Sequence, residues 1–309
     1  MNQHNTQANF SSYLRALRNA FQWRLLLLWI VTLALPTLIV ALPLRKVLGG
    51  LMDHSVHSLA WAQHFNALAM SDIMMLLPRA GTGLPGDFSV AMILTLLFSP
   101  FLTGMVVVAA RSSERLSLGQ LVHAGITEYW RLFRMLLWAI APFAVAFGIG
   151  VAAMGIAKKH AEAAVLQSSA DAGTHFAMII MIVVLVLAHV MVESGRAQFA
   201  ADGSLRSATL AFGRGIMMLL RRPLATLGMY LGVSIVGYLV AFILGLIRIR
   251  MTAAGGFGFF MAEIVTQLIV ITLAWQRTAR LFALADVVHS TPARPQPQPQ
   301  ASSTVAASS

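Results

Sequence analysis

Long uncharged apolar runs recur along the chain and alternate with short polar, arginine-rich segments. A run of about twenty apolar residues is long enough to cross the roughly 30 Å hydrocarbon core of a bilayer as a helix. None of the runs alternates apolar and polar positions as barrel strands do. The pattern predicts an all-α, polytopic membrane bundle with six transmembrane helices. These spans are Leu25 to Leu44, Phe88 to Ala110, Met135 to Ala157, Phe176 to Val192, Leu224 to Ile247 and Phe257 to Trp275.

The composition agrees with a membrane protein. Of the 309 residues, 58% are hydrophobic and 11% are charged, whereas a soluble domain carries about 25% charged residues. The chain has no cysteine, which excludes disulfides, thiolate metal sites and a cysteine nucleophile.

Three regions follow from these patterns. Residues 1–24 form a polar and amphipathic segment, residues 25–288 form the six-helix transmembrane domain, and residues 289–309 form a Pro-, Gln- and Ser-rich tail that we expect to be disordered. The first apolar run is longer than the apolar core of a signal peptide and contains Pro36, so we expect a retained span.

The basic residues predict the orientation of the bundle. Fifteen of the 22 arginines and lysines flank the spans on one side and seven on the other. Because basic residues accumulate in cytoplasmic loops, we expect both termini to be cytoplasmic. This distribution accounts for most of the net charge of +11, and we expect no nucleic-acid partner.

An internal repeat relates the spans to one another. Trp-Arg pairs open the first and third spans, and Arg111, Arg196 and Arg280 close the second, fourth and sixth spans at intervals of 85 and 84 residues. The spacing predicts three pseudo-repeats, each with an amphipathic lead-in helix, a span out, an outer loop and a span back. The predicted lead-in helices are Ser12 to Arg24, Ser117 to Arg134 and Ser204 to Arg222.

The lead-in helices favour contact with lipid. A basic amphipathic helix can lie in the headgroup layer with its arginines toward anionic lipids, or it can be a cytoplasmic extension of the span that follows. The predicted headgroup contacts are Arg15, Arg18, Arg24, Arg131, Arg134, Arg221 and Arg222.

Small residues predict where helices pack closely. Gly228 and Gly232 form a GxxxG step in the fifth span, and Ala146 and Gly150 narrow one side of the third. Such positions let backbones approach one another.

No catalytic motif occurs in the sequence, so we expect neither an enzyme nor a cofactor. The nearest approach to a metal site is Asp53, His54 and His57 in the first outer loop. Helical spacing would let the two histidines share a divalent ion with Asp53. The alternative is an exposed or interfacial helix whose histidines have no ligand role.

Two acidic residues in spans are candidate intramembrane or transport sites, because ionisable groups are costly there. Glu193 has His189 one turn before it and Arg196 three residues after it, which is compatible with a proton relay or with a structural ion pair near the interface. Glu263 has Gln267 on the same helical face. Arg248 or Arg250 could reach Glu263 to form an internal pair, and a transport or gating role is the other interpretation.

The phrase from Arg196 through Ser204-Leu205-Arg206-Ser207-Ala208 to Arg221-Arg222-Pro223-Leu224-Ala225-Thr226-Leu227 resembles a set of uncharacterised bacterial six-span integral membrane proteins. The resemblance covers most of the chain before the tail. It implies a bacterial cytoplasmic membrane and no established activity.

Taken together, the patterns favour a non-enzymatic membrane protein, which is a membrane-embedded partner or accessory subunit in a bacterial envelope process. Its expected partners are membrane lipids, with a second protein or another copy of the chain as further possibilities. The alternative is a transporter or channel for a small solute, an ion or a lipid. An intramembrane enzyme is the least favoured reading.

Overall fold

The computed structural model describes residues 10–52, 71, 75, 84–112, 114–164, 166–251 and 255–290. These residues contain helices and no strand. The principal helices are α1 Phe10–Asn19, α2 Trp23–Met52, α3 Leu84–Arg111, α4 Leu118–Ala163, α5 Gln167–Ala201, α6 Ala208–Arg221, α7 Pro223–Arg250 and α8 Gly255–His289.

Six of these helices, α2, α3, α4, α5, α7 and α8, are long and apolar enough to cross a membrane. The predicted all-α polytopic bundle is therefore confirmed, and the protein is a multi-pass integral membrane protein. Each helix contains one predicted span and extends beyond it. The predicted tail lies outside the described residues after position 290.

The lead-in segments differ from one another in how they join the spans. The second is not a separate helix, because no proline or glycine separates it from the span and α4 runs unbroken for 46 residues. Ser117 caps α4 through a reciprocal capping box with Gln120. The third lead-in helix, α6, ends before Pro223, which opens α7. Proline lacks an N–H and cannot continue the preceding helix.

The spans form three hairpins: α2 with α3, α4 with α5, and α7 with α8. Each outgoing helix packs against the returning helix of its own hairpin, and the returning helices α3, α5 and α8 contact one another. Val107, Phe199 and Leu284, one from each returning helix, are fully buried. The core therefore lies where the returning helices meet.

The lead-in helices complete a cyclic arrangement. Helix α1 packs on α8, the first turns of α4 pack on α3, and α6 packs on α5. Each lead-in segment thus contacts the returning helix of the preceding hairpin, with α1 contacting the last. We call the end of the bundle that carries these segments the lead-in end, and the opposite end the loop end.

Glycines allow two of these contacts. A Cβ on Gly215 of α6 would lie 2.4 Å from the backbone nitrogen of Gly195 on α5. A Cβ on Gly125 of α4 would lie 2.5 Å from the Phe101 ring and 3.0 Å from its carbonyl oxygen. Only glycine fits such a close approach of two backbones.

The glycines predicted to pack closely in the spans behave differently from one another. A Cβ on Gly150 would lie 2.9 Å from Met181 Cγ, so α4 approaches α5 closely there. At Gly228, by contrast, a Cβ would meet nothing within 4 Å. The close contact of α7 is instead at Gly237, where a Cβ would lie 2.3 Å from Gln276 Cγ.

Three arginines hold the pseudo-repeats together in the same way. Each lies near the start of a hairpin. A guanidinium N–H of each donates to a backbone carbonyl oxygen just after the returning helix of the same hairpin. We call them the clamp arginines: Arg24 donates to Leu116 at 3.1 Å, Arg131 to Leu205, and Arg222 to Ser290 at 3.4 Å.

Candidate functional site

Three arginines and one carboxylate meet inside the bundle, just beyond the apolar parts of two returning helices. Helix α5 supplies Glu193 and Arg196, and α8 supplies Arg277 and Arg280. A spacing of three residues places each pair on one face of its helix. The packing of α5 on α8 brings the two faces together. We call these four residues the arginine cluster.

Glu193 is the central residue of the cluster. Its side-chain Oε1 lies 2.8 Å from Arg196 Nη1 and 3.9 Å from Arg280 Nη2. His189 Nε2 lies 3.8 Å from the same oxygen. Glu193 is 1% exposed, so its charge depends on these cations rather than on water. The predicted group of His189, Glu193 and Arg196 is therefore brought together.

Helix α7 contributes polar partners that the sequence did not indicate. The Tyr230 hydroxyl lies 2.5 Å from His189 Nδ1. The Arg280 guanidinium lies 4.9 Å from the centre of the Tyr230 ring, in a cation–π contact. Arg280 Nη1 also donates to Ser234 Oγ at 3.5 Å, and its buried Nε has no hydrogen-bond partner within the part of the chain that the structure describes.

Arg277 has no acidic partner among the residues that the structure describes. Its Nη2 donates to Ser99 Oγ at 3.1 Å, and its guanidinium lies 5.4 Å from the centre of the Trp29 ring. The cluster thus holds three guanidinium groups against one carboxylate, an excess of two positive charges. Buried charge without a counter-ion is costly, so an anion beside Arg277 would be stabilised.

A groove of about 660 Å³ leads to this excess charge. Its floor contains Arg277, Arg196 and His189, and its walls are mainly apolar side chains of α2, α3 and α4. At its mouth Ile140 and Phe147 are 63% and 62% exposed. The groove, which we call the inner groove, therefore opens on the lipid-facing surface and combines a cationic floor with apolar walls.

The second predicted acidic site has different surroundings. Gln267 Nε2 donates to Glu263 Oε1 at 2.6 Å. Glu263 is exposed, and within the described residues no basic side chain lies within 4 Å of it. Arg248 instead donates from Nε to Thr266 Oγ1 at 3.4 Å. Glu263 does not line the inner groove.

The predicted metal candidates Asp53, His54 and His57 lie outside the described residues. Among the residues that are described, no group of three histidine, aspartate or glutamate side chains is arranged to hold a metal ion.

The predicted headgroup arginines fall into two sets. Arg15, Arg18, Arg134 and Arg221 are exposed at the lead-in end, where lipid contact stays a prediction. The other three are the clamp arginines, whose guanidinium groups already bond within the protein. Arg131 is the most enclosed of them. It pairs with Glu128 at 2.7 Å and lies 4.7 Å from the centre of the Phe199 ring.

A further ion-pair network surrounds Arg131 and joins three helices. Arg111 at the end of α3 contacts Glu128 of α4 at 2.9 Å, and its Nε donates to the Phe199 carbonyl of α5 at 2.9 Å.

Just beyond α5, Ser204 Oγ donates to Asp202 at 2.6 Å, which lowers the pKa of Asp202 below its ordinary value.

Comparison of the chain with protein-family models, with curated proteins and with solved structures gives no match.

Proposed function

We propose that this integral membrane protein binds an anionic amphiphile in the inner groove. The anionic group, a phosphate or carboxylate, lies beside Arg277 and Arg196, and the apolar chain lies between α3 and α4. The observation that carries the proposal is the charge imbalance of the arginine cluster, in which three arginines share a single carboxylate, Glu193. Two of these arginines, Arg196 and Arg277, line the groove, whose walls are mainly apolar.

The anionic group supplies most of the expected selectivity. Arginine forks match phosphate and carboxylate oxygens and form charge-assisted hydrogen bonds. Moving an alkyl chain from the bilayer into the groove yields little hydrophobic free energy, because lipid tails are as apolar as the groove walls. Affinity should therefore depend on the charge of the headgroup more than on the length of the chain.

The role we propose is non-enzymatic. The protein would hold such a lipid within the membrane as an accessory subunit of a bacterial envelope process and present it to a partner. The excess of basic residues at the lead-in end supports a cytoplasmic position for that end, and the resemblance to bacterial membrane proteins supports the cytoplasmic membrane as the location.

Native mass spectrometry of delipidated protein in detergent tests the proposal. Wild type, Arg277→Gln and Arg250→Gln are titrated with phosphatidylglycerol, with phosphatidylcholine of the same chains, and with inorganic phosphate. Arg250→Gln is the matched control, because it removes one exposed arginine at the loop end. Size-exclusion profiles establish that the three proteins are equally folded.

We expect wild type and Arg250→Gln to bind phosphatidylglycerol at least about 10-fold more tightly than phosphatidylcholine, since a hydrogen bond to a charged group contributes about 1.5–3 kcal/mol. Arg277→Gln should lose most of that preference at one binding step. Equal affinity for the two lipids, or no effect of Arg277→Gln, would overturn the proposal. Binding of inorganic phosphate without binding of the lipid would identify a soluble anion instead.

A second candidate function, lipid transport, is favoured by the cyclic arrangement of three parallel hairpins, since parallel repeats occur in transporters. Proteoliposomes containing fluorescent phosphatidylglycerol test it. Transport predicts movement between leaflets that Arg277→Gln abolishes and Arg250→Gln retains. A rate equal to that of empty vesicles would leave binding as the function.

A further inference from the structure

A second groove lies on another side of α4, at the lead-in end. It has a volume of about 870 Å³ and runs between α4 and the start of α6. Its polar lining consists of Arg134 on α4 and of Arg206, Ser207 and Thr209 at the entry to α6. None of these residues lines the inner groove.

Among the described residues, neither arginine of this groove has an acidic partner. Arg134 Nε donates to the Trp130 carbonyl of its own helix at 3.3 Å, which leaves its terminal nitrogens available. Arg206 is exposed. In the described part of the chain no carboxylate oxygen lies within 4 Å of either guanidinium. Two like charges that share a groove repel each other, so an anion between them is favoured.

The apolar lining places the groove at the membrane boundary. Arg134 directly precedes the predicted span, and Leu137 and Ile140 further along α4 are 51% and 63% exposed. Trp138 stacks on Phe212 of α6, with ring centres 5.8 Å apart. Tryptophan is enriched where spans meet the headgroup layer. The basic end of the groove thus lies at headgroup level, and its apolar end lies alongside the acyl chains.

We infer that this second groove binds an anionic phospholipid from the surrounding leaflet. The phosphate lies between Arg134 and Arg206, the hydroxyls of Ser207 and Thr209 donate to its oxygens, and the acyl chains run along Leu137. The lipid bridges the second hairpin and α6, which leads into the third. This occupant follows from the charge and from the depth of the groove. The two grooves share Ile140 but no polar lining residue, so the proposal for this groove does not depend on the ligand of the inner groove.

The test compares two variants that remove the same charge. Arg134→Gln/Arg206→Gln removes both arginines of the groove, and Arg115→Gln/Arg250→Gln removes two exposed arginines elsewhere. Native mass spectrometry counts phosphatidylglycerol molecules bound to delipidated protein, with phosphatidylcholine and inorganic phosphate as separate titrants. Arg134→Lys/Arg206→Lys keeps the charge and covers the case in which the glutamine variant does not fold.

We expect the glutamine variant to bind one phosphatidylglycerol at least about 10-fold more weakly, as expected for loss of hydrogen bonds to a charged group. The control and the lysine variant should stay within a few-fold of wild type. Arg277→Gln should weaken a different binding step, so failure at one groove is distinguishable from failure at the other. Equal binding by the glutamine variant and the control would overturn the inference, as would binding of inorganic phosphate in place of the lipid.

Discussion

The arginine cluster depends on Glu193, and Glu193→Gln tests that dependence. The substitution keeps the size of the side chain and removes the only carboxylate within 4 Å of Arg196 and Arg280 in the described residues. The new amide oxygen can still accept a hydrogen bond from Arg196, but its charge is gone. Three arginines then remain together at a buried position.

The expected cost follows from this geometry. Removing one partner of a buried ion pair costs about 3–5 kcal/mol, because the other charge stays buried without a counter-ion. The Arg196 contact at 2.8 Å is a full hydrogen bond, whereas the Arg280 contact at 3.9 Å is longer. Since an amide retains part of the first contact, we expect a loss of about 3 kcal/mol in the free energy of unfolding.

The assay is denaturant unfolding of purified protein in detergent micelles. Glu263→Gln is the matched control, since that glutamate is exposed and has no basic partner within 4 Å among the described residues. It should cost less than about 0.5 kcal/mol. Glu193→Gln/Arg196→Gln should lose less unfolding free energy than the two single variants lose in sum, because the second substitution removes one of the uncompensated charges. A cost for Glu193→Gln equal to that of the control would refute the reasoning.

Three further predictions concern the packing and the connections of the bundle. Gly215→Ala should lower the free energy of unfolding by more than the roughly 1–3 kcal/mol that is typical of overpacking, because the new Cβ meets backbone atoms of α5. Gly213→Ala is the control, since its Cβ would meet nothing within 4 Å. Equal unfolding midpoints for the two variants would contradict this prediction. Arg131→Gln should lower the free energy of unfolding by about 3 kcal/mol, since it breaks an ion pair whose side chains are only 15% and 10% exposed. A cost below about 0.5 kcal/mol in the same assay would be inconsistent with a clamp. Ser204→Ala should raise the pKa of Asp202 toward its ordinary value. A lowered pKa gives stability that is lost on acidification, so wild type should lose slightly more stability than Ser204→Ala between about pH 5 and pH 2, and identical pH profiles would count against it.

Local patterns in the sequence predicted the spans and one part of the cluster. Apolar runs of sufficient length indicate membrane helices whatever their neighbours are. His189, Glu193 and Arg196 lie within two turns of one helix, so their proximity follows from helical geometry alone. Arg280 and Tyr230 join them from other helices, and no local pattern indicates which faces of distant helices meet.

The clamp arginines show the same limit in a different form. Their positions in basic amphipathic lead-in segments predicted contact with lipid headgroups. In the structure their guanidinium groups donate to carbonyl oxygens just after a returning helix, 68 to 92 residues away in the chain. A guanidinium can donate to a lipid headgroup or to a backbone carbonyl, and the sequence alone does not say which of the two the fold brings nearer.

The central claim is that the inner groove holds the chain of an anionic amphiphile. Photo-crosslinking of proteoliposomes with a phosphatidylglycerol that carries a diazirine in one acyl chain tests it most directly. The account predicts adducts concentrated on Phe143 and Phe147, which line the groove, and reduced by Arg277→Gln. Phe242, which is exposed on α7, should be labelled more weakly and without change. Labelling spread evenly over these three residues, and unaffected by Arg277→Gln, would contradict it.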